Sequence, residues 1–84
     1  MQQLSDWQPT AVKAVFDLEG RIRPQTFVWG EQQWPVTDVG RQWTDKDGLH
    51  HVLVMISGPR TFELRFDPAS LRWEAQRISA PTAV

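Results

Sequence analysis

The side chains that could do chemistry are few in this 84-residue sequence. His50 and His51 are the only histidines, and adjacent side chains on a strand point to opposite faces. The two rings therefore cannot bind one metal ion. The run Asp45-Lys46-Asp47-Gly48 resembles part of a calcium loop, but Trp43 and Val54 occupy the outer positions where that loop needs acidic residues. We predict a plain turn there.

Cysteine and the common catalytic motifs are absent from the sequence. Without cysteine the chain can form no disulfide, no zinc finger and no thiol nucleophile. The phosphate-binding loop, the dinucleotide fingerprint and the serine- and zinc-hydrolase motifs are missing as well. A carboxylate pair could be assembled from several acidic residues, but nothing in their spacing selects one. We therefore expect no enzyme, no cofactor and no metal.

The balance of charge excludes a strongly basic nucleic-acid-binding protein. Nine Lys and Arg residues stand against ten Asp and Glu residues, which gives a net charge of -1. Four arginines nevertheless fall near predicted turns, and together with Trp43 they could form a site for a phosphate backbone or an acidic peptide. The alternative is that they are scattered in solvent. The four are Arg21, Arg23, Arg41 and Arg60.

Five tryptophans and four phenylalanines are the unusual feature of the composition. Burying one large apolar side chain contributes roughly 1.5–3 kcal/mol, so these rings can supply much of a small core. Trp29 and Trp73 share the inward phase of their predicted strands and are expected in that core. Trp34 and Trp43 could be core residues or an exposed aromatic platform for a partner.

The spacing of glycine predicts a meander of short strands, because a glycine recurs every eight to ten residues. Residues 12–18 form the first predicted strand, with Val12 and Phe16 on its inner face. A helix capped by Thr10 and ended by Gly20 would also fit this segment.

Residues 23–29 form the second predicted strand. A four-residue hairpin loop over residues 30–33 would then place Trp29 opposite Trp34. The segment 41–48 is polar and rich in turn residues, apart from its tryptophan, and we assign no strand to it.

The central hairpin is predicted from two apolar segments, His51–Ile56 and Arg60–Asp67, which a tight glycine-proline turn joins. This turn would pair Met55 with Phe62 and leave an outer apolar stripe on the first strand. Such a contiguous stripe is a contact surface. It would be covered by the segment around Trp7, by a second copy of the chain or by a partner. The stripe consists of Val52, Val54 and Ile56.

The last predicted strand covers residues 71–78. Its register follows from charge, since opposite charges across an antiparallel pair stabilise and like charges destabilise. The favourable register sets Asp67 opposite Arg72 and Arg65 opposite Glu74. A helix starting after Asp67 is the alternative.

These elements predict one all-β domain of five or six antiparallel strands, rolled into a small barrel like that of Src-homology-3 domains or into a strongly bent sheet. The ordered core would span about residues 10–78, with tails at 1–8 and 79–84. No apolar stretch is long enough to cross a membrane, and the N-terminus does not look like a signal peptide, so we expect a cytoplasmic protein. The expected core is Val12, Phe16, Phe27, Trp29, Val36, Leu53, Met55, Phe62, Leu64, Phe66 and Trp73.

Residues 12–77 resemble a small bacterial family of unknown function. Members of that family are short all-β proteins, and a similar domain is appended to the C-terminus of catalytically inactive Y-family-polymerase-like proteins of DNA damage tolerance. The resemblance implies the fold and provides no catalytic residue. It rests on the run Phe16-Asp17-x-x-Gly20-Arg21-Ile22-x-Pro24-x-x-Phe27-x-Trp29 and on Trp34-x-Val36, Trp43, Phe62-Glu63-Leu64 and Trp73.

We therefore predict a non-catalytic protein-interaction module with a protein partner or a second copy of itself. Its surface would be the stripe Val52, Val54 and Ile56 or an exposed patch of Trp34 and Trp43. The alternative is a nucleic-acid accessory domain, linked to DNA damage tolerance, that uses Trp43 with the four arginines. A small-ligand pocket ranks last, because small barrels are filled by their own side chains.

Overall fold

The computed structural model describes residues 6–78, and within that range the chain forms only β-strands and turns. The all-β prediction is confirmed. The predicted tail at 79–84, and residues 1–5 of the other, lie outside the described residues. The strands are β1 (Gln8–Thr10), β2 (Val12–Phe16), β3 (Ile22–Trp29), β4 (Gln32–Pro35), β5 (Asp38–Thr44), β6 (His50–Ile56), β7 (Arg60–Asp67) and β8 (Arg72–Ile78).

The eight strands form two antiparallel sheets, one of five strands in the order β1-β8-β7-β6-β5 and one of three in the order β2-β3-β4. The first strand pairs with the last, so that Gln8 lies opposite Ala75. The described residues contain no helix that could cross a membrane. Two of the strands, β1 and β5, differ from the prediction; β5 covers the first half of the segment 41–48, for which no strand is predicted.

Two sharp corners join the sheets. β1 runs into β2 through a single residue, and β4 runs into β5 through two. At the first corner the Thr10 hydroxyl accepts a hydrogen bond from the Val28 amide (3.0 Å) and donates one to the Val28 carbonyl (2.8 Å). At the second corner the Thr37 amide donates to the Met55 carbonyl (2.8 Å). The chain therefore passes from one sheet to the other at these bends, and the strands do not close into the predicted barrel.

The core lies between the facing sides of the two sheets. Phe27 from the small sheet meets Phe62 from the large one edge to face, with ring centroids 5.0 Å apart. Such aromatic pairs stabilise a core beyond the area that they bury. The fully buried cluster is Phe27, Val52, Val54, Ile56, Phe62, Leu64 and Ala75, with Val12, Trp29, Trp34, Val36 and Trp73 packed partly against it.

The register of the β6–β7 hairpin corrects the predicted outer stripe. Ile56 pairs with Arg60 around a three-residue loop, so Val54 faces Phe62. The prediction assumed a two-residue loop, and a shift of one residue turns every side chain to the other face. Val52, Val54 and Ile56 are thus 0%, 2% and 1% exposed and belong to the core. The expected stripe is wrong, and these residues offer no partner surface. Leu53 and Met55, expected in the core, are only partly buried.

The β3–β4 hairpin also differs from its prediction. Its loop has two residues, Gly30 and Glu31, whose φ angles are 62° and 64°. Two left-handed residues in succession make the tight turn that matches the twist of a hairpin. The pairing therefore sets Phe27 opposite Trp34. The predicted four-residue loop is wrong because a glutamate in the left-handed region cannot be anticipated from its residue type.

Strand β2 confirms the strand prediction against the helix alternative, but Phe16 is not a core residue. It lies at the end of β2 and is 56% exposed. One side of its ring packs edge to face on Phe66, with centroids 5.6 Å apart. Val12, at the start of β2, packs partly on the core as predicted. Phe16 is exposed because it lies at the other end of the strand, at the margin of the sheet.

The β7–β8 register is the one that charge selected. Asp67 lies opposite Arg72 and Arg65 opposite Glu74. The Arg65 Nε donates a hydrogen bond to the Glu74 carboxylate at 2.7 Å. The helix alternative for this segment is therefore wrong.

Candidate functional site

A cleft of about 480 Å³ opens between the β2–β3 turn and strand β5. It brings together two of the four arginines singled out in the sequence, Arg21 and Arg41, and both are exposed. Trp43 and His50 also line it, each partly buried. We call this site the arginine cleft, and its charged groups come from both sheets.

The β2–β3 turn holds Arg21 in place through Asp17. One carboxylate oxygen of Asp17 accepts the backbone amides of Glu19 and Arg21, each at 2.9 Å. Gly20, with a φ of 83°, makes the left-handed step that this turn requires. The hydrogen bond from the Arg21 amide is the main cause that lowers the pKa of Asp17, so the turn favours an ionised carboxylate.

Gln42 fixes the distance between the two walls of the cleft. Its side-chain oxygen accepts the Ile22 amide at 3.0 Å, and its side-chain nitrogen donates to the Ile22 carbonyl at 2.6 Å. The carboxamide thus pairs with the backbone of β3 as a neighbouring strand would. Because Ile22 is buried, both of its backbone groups need these partners.

Trp43 forms the aromatic wall of the cleft. Its ring stacks on His51 with a centroid separation of 5.0 Å and an interplanar angle of 4°. The Arg41 guanidinium lies 4.9 Å from the Trp43 ring centroid, within the range of a cation–π contact. The ring therefore has a fixed orientation and also holds one of the two arginines at the cleft.

His51 is buried between two carboxylates, an arrangement that was not predicted from the sequence. Its Nδ1 lies 2.7 Å from a Glu63 oxygen and its Nε2 lies 2.7 Å from an Asp45 oxygen. Each ring nitrogen therefore has a carboxylate oxygen as its hydrogen-bond partner. The hydrogen bond from His51 is the main cause that lowers the pKa of Asp45. Gln76 supports the far side of the Glu63 carboxylate at 3.3 Å.

The predicted register concealed the Asp45–His51–Glu63 cluster. In the structure Glu63 pairs with Leu53, which makes it a diagonal neighbour of His51 on the same face. The predicted register was shifted by one residue and put Glu63 and His51 on opposite faces. With the correct loop length, the sequence would have pointed to this contact.

The segment around Trp7 covers the outer face of the large sheet at His51 instead of at the predicted stripe. The Trp7 and His51 rings meet edge to face with centroids 6.1 Å apart. The Arg65 guanidinium lies 4.1 Å from the centroid of the Trp7 ring. His51 is therefore enclosed by two tryptophans and is only 7% exposed.

The other predicted site residues lie elsewhere. Arg23 forms an ion pair with Asp17 at 3.0 Å. Arg60 lies over the ring of Trp34, 4.5 Å from its centroid, at the other end of the β6–β7 hairpin. Trp43 pairs with His51, five positions along β6 from the partner of Arg60, which is about 16 Å. Trp34 and Trp43 therefore do not form one patch.

Comparison with known proteins identifies no relative of this chain. No protein-family model, no curated protein and no solved structure matches it. The chemistry of the arginine cleft is therefore argued from its own residues.

Proposed function

We propose that this domain is a non-catalytic protein-interaction module that binds an anionic segment of a cytoplasmic partner in the arginine cleft. The observation that carries the proposal is the convergence of two exposed guanidinium groups, Arg21 and Arg41, from different sheets. Within residues 6–78, neither has a carboxylate partner, whereas Arg23 and Arg65 each have one. Free guanidinium groups bind carboxylates strongly, often through two parallel hydrogen bonds.

The aromatic wall supports a protein partner. Trp43 gives the cleft an apolar surface beside its two positive charges, and tryptophan and arginine are the residues most enriched at the centres of protein interfaces. The ring is immobilised by its stack on His51, so little side-chain freedom remains to be lost on binding.

The histidines support a non-catalytic function. Both ring nitrogens of His51 are occupied by carboxylates and the residue is buried, so neither nitrogen is open to a substrate. The Nδ1 of His50 lies 3.0 Å from the Thr44 hydroxyl, but in the part of the chain that the structure describes no group binds its other nitrogen. A nucleophile and base act as a pair only when a third group orients the base.

The distribution of arginines favours an acidic peptide over nucleic acid. Only two of the four arginines expected to converge lie at the cleft, and the chain carries a net charge of -1. Binding to a nucleic-acid backbone depends on several phosphate contacts made at once. Two guanidinium groups are enough to bind one or two carboxylates of a peptide, but they are too few to contact the successive phosphates of a nucleic-acid backbone.

The proposal is tested by fluorescence anisotropy with a labelled glutamate-rich peptide and the full chain. The double variant Arg21→Glu/Arg41→Glu should weaken peptide binding at least about tenfold, because it replaces attraction by repulsion at both contacts. Arg72→Glu/Arg77→Glu is the matched control, since it changes the net charge by the same amount and both arginines are exposed and lie outside the cleft. It should leave binding unchanged.

Three results would overturn this function. The first is equal binding by the double variant and the control. The second is no binding of the acidic peptide at low salt. The third is tighter binding of a short oligothymidylate with a steep salt dependence, which would support the nucleic-acid alternative.

A further inference from the structure

Strand β5 is an open edge of the large sheet. It is seven residues long and pairs with β6 on one side only. An edge strand presents a row of backbone amides and carbonyls away from its partner. In residues 6–78, no other backbone or side-chain group makes a hydrogen bond to that row. β5 can therefore accept one more strand.

The other short edges of the molecule are closed to this type of pairing. β1 and β4 have three and four residues, and they contain Pro9 and Pro35. Proline has no amide hydrogen and blunts an edge. β2 has five residues and carries Lys13, whose charge protects an edge from pairing. β5 has neither lysine nor proline and is the longest edge strand in the described part of the chain, and its ladder with β6 shifts register once, between Val39 and Gln42.

Two depressions lie along β5 and meet at Gly40. The arginine cleft follows the second half of the strand, from Gly40 to Thr44. A second hollow of about 310 Å³ follows the first half and is lined by Val39, Leu53 and Met55. One end of the edge is thus positively charged and the other is apolar.

We infer that an extended acidic segment of the partner adds to the large sheet as a sixth strand alongside β5. A glutamate or aspartate of that segment binds between Arg21 and Arg41, and an aliphatic side chain fills the hollow at Val39, Leu53 and Met55. Backbone hydrogen bonds to the edge supply affinity, and the two depressions supply specificity. The inference rests on the proposed function and adds its binding mode and peptide class.

Charge gives the segment a preferred direction. Asp38 is exposed at the apolar end of β5 and would repel a carboxylate there. The acidic residue is therefore drawn to the arginine end. Side chains on one face of a strand recur about every 6.6 Å, so the aliphatic residue lies two or four positions from the acidic one.

The binding mode is tested with a seven-residue peptide, as long as β5, that carries glutamate in one half and valine two and four positions from a glutamate, with serine at the positions between. Alternate amides of an extended peptide point to the same edge. Two N-methylated versions are compared, each with one alternate set of amides blocked. The peptide whose methyl groups face β5 should bind at least about tenfold more weakly than the parent peptide. The other N-methylated peptide should bind like the parent. A lysine–valine peptide is the charge control and should not bind.

Amide hydrogen exchange measured by NMR reports the position of the added strand. The peptide should slow exchange of the outward amides of β5 at least about tenfold and leave the amides of β1 and β4 unchanged. Concentration-dependent protection of β5 without peptide would show that a second copy of the chain occupies the edge, and this would overturn the inference.

The outcomes separate the inference from the proposed function. If both N-methylated peptides bind like the parent and β5 is not protected, the added strand is wrong while the arginine cleft still binds acidic peptides. If the parent peptide and the glutamate-rich peptide both fail to bind, the proposed function is wrong as well.

Discussion

His51 shows how a single buried residue can organise a surface. It receives a carboxylate on each ring nitrogen and supports Trp43 by stacking, so the aromatic wall of the cleft depends on it. Nothing in residue type or spacing identified this role, because it depends on the correct register of two strands and on a turn residue, Asp45. Long-range contacts of this kind lie beyond what local pattern can predict.

Removing the His51 ring should destabilise the fold. His51→Ala leaves the Glu63 carboxylate, which is only 14% exposed, without its main partner. A largely buried carboxylate oxygen left without a hydrogen-bond partner is costly, and we expect a loss of about 2–4 kcal/mol in the free energy of unfolding. Urea unfolding followed by tryptophan fluorescence measures it. Lys46→Ala, in the neighbouring exposed turn, is the control and should change stability little. Equal effects of the two variants would show that the cluster contributes nothing.

The lowered pKa of Asp45 predicts a pH dependence of stability. A carboxyl group whose pKa is lower in the folded state than in the unfolded state stabilises the fold above the unfolded pKa. This contribution is lost as the pH falls through the folded pKa. We expect the urea midpoint to fall as the pH decreases from about 5 to about 2. Asp45→Asn should make that decrease shallower. An unchanged slope would contradict a lowered pKa at this residue.

At the scale of elements, the two hairpins of the large sheet show what decides a register. The β7–β8 pairing was predicted correctly because Arg65 and Glu74 carry opposite charges and the shifted register repels. The β6–β7 pairing has no such charges to select it, and its turn accommodates two or three residues. β5 was missed because its strand pattern is interrupted where the register shifts between Val39 and Gln42. Most strands could thus be predicted from their pattern. A register could be predicted only where charges selected it, and the register shift in β5 could not be predicted.

The register of β6 is tested by a pair of substitutions. Val54 is 2% exposed and faces the core, whereas Met55 is partly exposed on the outer face. Val54→Glu buries an unpaired charge and should cost more than about 4 kcal/mol, enough to unfold a domain of this size. Met55→Glu should keep the chain folded. Circular dichroism spectra of the two variants distinguish them, and the reverse outcome would support the predicted register.

At the scale of the whole molecule, two sheets share one core and are locked together by few polar contacts. Hydrogen bonds of Thr10 and Thr37, at the two corners, and of the Gln42 carboxamide connect the layers. The arginine cleft lies across this junction, since Arg21 belongs to one layer and Arg41 to the other. Binding at the cleft therefore depends on how the layers are joined.

Gln42→Ala should affect both stability and binding. It leaves the buried amide and carbonyl of Ile22 without partners, which should cost about 1–3 kcal/mol in the free energy of unfolding. It should also weaken binding of the acidic peptide, because Gln42 joins strand β5 to the backbone of Ile22, next to Arg21, across the cleft. Gln33→Ala is the control, since the exposed side chain of Gln33 makes its hydrogen bond to Thr26 within the small sheet and not between the layers. If Gln42→Ala lowers stability but binds the peptide like the parent chain, the separation of the layers does not set affinity.

The pairing of β1 with β8 has a consequence during synthesis of the chain. The ribosome makes Gln8 early and Ala75 late, yet the two lie opposite each other. The large sheet consequently remains incomplete until the last strand has left the exit tunnel. Contacts between such distant parts of a sequence slow folding. Until β8 emerges, β7 has one unpaired edge in the nascent protein, while β5 and β6 can already pair.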